Sequence, residues 1–221
     1  MNVSDIIKLS HCMIKTRKVR FTTTVIVLGT VFGIIFAGLA ILNEVKNAVF
    51  EQCAIDASVS ISNDDCVSAH EVMDKFDRDF TITVTVVSTL TAMLVSTFTL
   101  AHILAEDRRN FVLYRSLGAT NYQIALIYLV HLFEICFFAV LFAILLALVI
   151  AIFISLLFRE NIVSFVKSYF PISDLPTILF KFSYQNIIVI GMIFATAPVA
   201  LFLNIDQFAV GKAVKYLKES S

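Results

Sequence analysis

Charge is what this chain has least of. Only 15% of its 221 residues are Asp, Glu, Lys or Arg, while 59% are hydrophobic. Soluble domains carry about 25% charged and roughly 45–50% apolar residues. The imbalance excludes a large soluble core. The short motifs of self-contained catalysis are also missing. No G-x-x-x-x-G-K-[ST] loop is present to cradle nucleotide phosphates. Gly211-Lys212 has neither the upstream glycine nor a following Ser or Thr. There is no H-E-x-x-H, no G-x-S-x-G and no Cys/His ligand cluster, and His11, His70, His102 and His131 are scattered. A non-catalytic chain is expected, with no cofactor or metal of its own and no nucleic-acid partner.

What is abundant is uninterrupted apolar sequence. Four runs reach the length of about 20 residues that a membrane-spanning helix needs. They are Phe21–Asn43, Phe80–Leu104, Ile124–Phe158 and Phe182–Ile205. The first, second and fourth contain no charged residue, and the third contains only Glu134. The third is too long for one span, so it tilts or its first turns project beyond the bilayer. The first run has no small-residue cleavage site close behind it and reads as a retained anchor. The expected fold is an all-α integral membrane protein with four transmembrane helices.

The charges orient it. Segments 1–20, 105–123 and 206–221 together hold eleven basic and five acidic residues. Segments 44–79 and 159–181 hold six basic and eleven acidic residues. The positive-inside rule puts both termini and the central island in the cytoplasm. The parts follow in order: a surface segment at 1–20, spans at 21–43, 80–104, 124–158 and 182–205, a small extracytoplasmic loop at 44–79, a second outer loop at 159–181, and a tail at 206–221.

Within these parts, Val3, Ile6, Ile7, Leu9, Met13 and Ile14 share a helical arc opposite Lys8, His11 and Lys15. This predicts an amphipathic N-terminal helix on the inner surface. The following Lys15, Arg17, Lys18 and Arg20 either bind anionic lipid or simply set topology. Gly29, Gly33 and Ala37 recur every four residues, a spacing that lets another helix approach closely. Thr81, Thr85, Thr89 or Ser88, Ala92, Ser96 and Thr99 give the second span a small, weakly polar face. Asn63-Asp64-Asp65 reads as a turn in the first outer loop. Cys53 and Cys66 both fall in that loop and either form a disulfide or remain separate thiols. Glu134, an acid inside an apolar run, is a functional position by default. The alternative is a place near the cytoplasmic interface, met by a local Arg, Lys or His131.

The most informative stretch is Glu106–Gln123, the charged island between two apolar runs. Phe111 and Tyr114 share one face of a short helix, and Arg108 and Arg115 share another. Gly118 is placed to end that helix, and Thr120 with Gln123 forms a T-x-x-Q capping box for the next. The pattern is helix, sharp turn, helix, and it suits a surface helix gripped by a partner protein.

Three segments resemble the FtsX-like (MacB-type, type VII) ABC transporter permease family. They are Leu28–Ile34 after the basic residues, Arg109–Thr120 followed by Gln123-Ile124, and Pro198 with Ile205-Asp206 eight residues later. Glu134 matches an acid that the family often carries. The resemblance implies a bacterial cell-membrane permease subunit, paired with a separate ABC ATPase that binds ATP and Mg. It also implies a second permease subunit, in a homodimer or heterodimer, and allows an extracytoplasmic partner. Arg108, Arg109, Phe111, Leu113, Tyr114, Arg115, Leu117 and Gly118 would then form the ATPase-coupling segment. Two further readings stay open. One is a division regulator of the same family that activates a cell-wall hydrolase, and the other is a four-helix sensor or immunity protein without any ATPase.

Overall fold

The computed structural model describes residues 18–59, 63–116, 118–169 and 180–204. Five helices make up almost all of it: α1 (Lys18–Val59), α2 (Asn63–Glu106), α3 (Arg108–Ser116), α4 (Asn121–Tyr169) and α5 (Tyr184–Leu203). Among the described residues there is no strand. Thr81, Thr83 and Thr85 accordingly lie within α2, and Thr83 Oγ1 donates to the Asp79 carbonyl at 2.7 Å. Thr85 Oγ1 donates to the Thr81 carbonyl and Thr89 Oγ1 to that of Thr85, both at 2.7 Å.

Four stretches are long and apolar enough to cross a membrane: Lys18–Val45, Arg78–Glu106, Asn121–Phe158 and Tyr184–Leu203. Each coincides with an apolar run of the sequence to within a few residues. The helices, however, outlast the runs. α1 continues through Glu44 to Val59 and α2 already begins at Asn63. Most of the segment read as a loop, 44–79, is therefore helix, and the expected turn at Asn63 is a helix start. α4 has 49 residues, about 73 Å at 1.5 Å per residue, more than twice the roughly 30 Å hydrocarbon core. A change from apolar to charged residues marks an exit from lipid. It does not by itself end a helix, and no Gly or Pro stands between residues 39 and 79 to interrupt one near the lipid boundary. Pro198 lies inside α5, which runs on to Leu203.

Residues 1–17 of the amphipathic helix expected over 1–20, the tail from 206 and the loop around Pro171 and Pro176 lie outside the described residues. So do the side chains of Cys53 and Cys66, and with them the disulfide question.

The chain packs as two units. One draws on Met1–Thr30, Thr91–Phe142 and Ile190–Ser221. Its core holds Leu28, Leu100, Leu104, Tyr128, Leu132 and Ile193. Here Gly29 lies against α4: a Cβ at Gly29 would stand 2.5 Å from Phe142 Cδ1 and 3.1 Å from the Ala139 carbonyl oxygen. The other unit draws on Val31–Leu90 and Ala143–Val189. There a Cβ at Gly33 would meet three Leu146 carbons at 3.0–3.2 Å, and Ala37 is buried. Phe142 and Leu146, four residues apart, thus fill successive hollows left by the glycines of α1. α4 carries its own small-residue line, Ala139, Ala143, Ala147 and Ala151, every one buried. Without a hydrophobic drive between helices in lipid, such small residues gain stability through close contact.

The second unit also contains a buried polar knot. The Asn43 side-chain Nδ2 donates toward the Leu39 carbonyl at 2.9 Å, Ser183 Oγ at 2.7 Å and Gln185 Oε1 at 2.6 Å. The Lys181 amide donates to the Ala40 carbonyl at 3.4 Å. Hydrogen bonds of this kind join α1 to the start of α5 away from water.

Candidate functional site

The charged island folds as an elbow inside the first unit. α2 ends at Glu106, and Asp107 alone separates it from α3. The Asp107 amide still donates to the Ile103 and Leu104 carbonyls at 3.2 Å. Its own carbonyl accepts from Asn110 at 2.9 Å and Phe111 at 3.4 Å, opening the new helix. One residue thus closes one helix and starts the next, which leaves little slack.

The other end is equally fixed. Gly118 has φ +85°, the left-handed region where a Cβ is disfavoured. The Gly118 amide donates to the Arg115 carbonyl at 2.9 Å and the Ala119 amide to that of Tyr114 at 3.1 Å. This pair of bonds is the Schellman pattern of a helix end. Two residues later the Thr120 amide donates to Gln123 Oε1 at 3.1 Å, and the Gln123 amide to Thr120 Oγ1 at 3.3 Å. The reciprocal capping box opens α4.

Between these ends, α3 is pinned by an aromatic contact. Phe111 is only 4% exposed, and its ring meets Tyr128 of α4 edge-on, centroids 4.4 Å apart. Phe111 was expected to anchor a partner. Instead it is buried in the chain's own packing and holds α3 down. Tyr114 and Arg115 are partly buried. The side chains of Arg108, Arg109 and Leu113, and the whole of Leu117, lie outside the described residues.

Charged groups gather on the same elbow. Arg20, near the start of α1, reaches Glu106 at 3.0 Å and Asp107 at 3.6 Å. His102 approaches Glu106 at 3.4 Å. Arg20, Thr24, Asp107 and His131 line a small cleft between these helices. Glu134 is largely shielded, with His131 Nδ1 at 3.9 Å one turn earlier. Arg20, Glu106 and Asp107 are functional candidates that sequence reasoning missed as a group. The local signal, an acid pair ending one apolar run, was present. Its partner is more than eighty residues away and no spacing rule links them. Among the described residues, no group of three or more His, Cys, Asp or Glu side chains could hold a metal ion.

A helical membrane protein with four spans and a short capped helix between the second and third is thus defined. A family model described as FtsX-like permease C-terminal matches residues 82–207. That is more than half of the chain, and the protein belongs to the FtsX-like permease family. It is a multi-pass membrane protein of a family whose members are generally non-catalytic membrane components of ABC-type systems. No curated protein and no solved structure matches the chain.

Proposed function

We propose that this chain is the permease subunit of a type VII ABC transporter. A separate ATPase binds ATP and Mg, and α3 is the helix that takes up its movement. The observation that carries this reading is the double capping of α3. Asp107 sets its start, Gly118 and Thr120 set its exit, and Phe111 fixes its inner side. A loosely held segment would absorb a partner's stroke, whereas a capped and anchored helix passes it on. Positions 109, 113 and 116 fall opposite Phe111 at 100° per residue, and Ser116 is exposed. That face is the one offered to the ATPase. Leu113 supplies an apolar anchor, since buried apolar contacts dominate interface energies. The arginines steer the encounter and pair with acids.

In this reading both termini and α3 are cytoplasmic, and the Val59–Asn63 end of the long helices faces outward. The reduced outer region passes motion to an exported substrate or an extracytoplasmic partner. A second permease subunit completes the assembly within the lipid. Two tests follow. Single cysteines at Asp65 and Asn110 should label from outside and from inside respectively. Labelling of both by an impermeant reagent from outside would overturn the topology. Leu113→Asp should still insert but lose co-purification of the ATPase by about a hundredfold, the scale of removing one central anchor. Undiminished co-purification would count against α3 as the contact.

A further inference from the structure

We propose that Arg20 is a positioning residue that ties the α2–α3 corner to α1, so that displacement of α3 is carried into the first span. The inference rests on the permease reading for its functional half and on geometry for the rest. Arg20 is the third residue of α1. Its guanidinium meets both carboxylates of the corner, Glu106 at 3.0 Å and Asp107 at 3.6 Å. The two contacts differ in kind. Glu106 is partly exposed and shared with His102. The Asp107 side chain is only 2% exposed, and its backbone carbonyl starts α3. An exposed ion pair contributes little by itself. A guanidinium held on a buried carboxylate resists separation, because parting them leaves a charge away from water. Both contacts are made by one guanidinium nitrogen, Nη1, which stands between the two carboxylates. The pair therefore joins α1 to the residue whose carbonyl opens α3. Phe21 reinforces the joint beside Arg20: its ring lies 6.3 Å from that of His131 and edge-on to Phe138 at 5.7 Å. The base of α1 is thus held on both the charged and the aromatic side.

The experiment uses the full chain in lipid nanodiscs, with and without the ATPase that co-purifies with it. Amide hydrogen exchange reports on α3 directly. Arg20→Gln should speed exchange of the α3 amides by about tenfold while leaving the α4 core protected, because local openings are separable from global unfolding. It should keep the ATPase bound but lower permease-stimulated ATP hydrolysis about tenfold, a split between binding and coupling that a general loss of fold would not give. Arg20→Lys, retaining charge, should recover part of both. Lys18→Gln removes the same charge two residues away and should match the parent. Unchanged α3 exchange in Arg20→Gln, or an equal effect in Lys18→Gln, would overturn the proposal. If no ATPase accompanies the parent chain, the permease reading falls, while the exchange comparison still decides whether Arg20 holds the corner.

Discussion

Phe111→Ala is expected to release α3 from α4 and to lower the melting temperature of the purified protein. Truncating a buried Phe costs about 3–5 kcal/mol in well-packed interiors. The edge-on pair with Tyr128 adds about 0.5–1.5 kcal/mol beyond area alone. Surface substitutions elsewhere on α3 should stay within about 0.5 kcal/mol, so burial decides the ranking. Phe111→Leu should recover much of the loss, because volume-conserving apolar swaps usually cost less than about 1.5 kcal/mol. Thermal unfolding and limited proteolysis near Gly118 measure the effect. An alanine variant that melts and resists cleavage like the parent would contradict the anchoring role. Phe111→Asp is a poor probe of partner binding for the same reason: it would bury a charge inside the chain. Leu113 is the cleaner position.

Gly33→Leu is expected to break the packing of α1 on α4. Even a single Cβ there would sit 3.0–3.2 Å from three Leu146 atoms. The Leu146 side chain can yield a few tenths of an ångström to alanine, but not to four added carbons. Overpacking of this kind costs about 1–3 kcal/mol or more. Gly38 provides the control, since nothing lies within 4 Å of a Cβ built there. Gly38→Leu should be neutral or slightly stabilising, because Leu favours helix over Gly by somewhat under about 1 kcal/mol. Thermal stability and oligomer size of the two variants make the comparison. Equal behaviour would mean that the glycine spacing carries no packing role.

Much of this architecture is legible in the sequence. Hydropathy locates the four spans, because lipid leaves little freedom about which residues cross it. The elbow is legible for a different reason. Gly118, Thr120 and Gln123 act on backbone groups within a few residues, so their chemistry can be read locally. The helical course of residues 44–59 and 63–79 was hidden, because polar composition there suggested a loop. The inward turn of Phe111 was hidden too, since an aromatic on a basic helix can face a partner or its own fold. The Arg20 contacts and the Asn43–Gln185 bond join residues far apart in sequence. Only the packed helices bring them together. The alanine line on α4 was readable as a four-residue repeat, yet in a run this apolar it does not stand out until burial is seen.

In the proposed function an ATPase acts on this chain through α3. The direct measurement is ATP hydrolysis by the co-purifying ATPase in nanodiscs, with parent permease or Leu113→Asp. The parent should raise the rate, and Leu113→Asp, correctly inserted, should leave it at the level of the ATPase alone. Equal stimulation by both proteins, or none by the parent, would contradict coupling through α3.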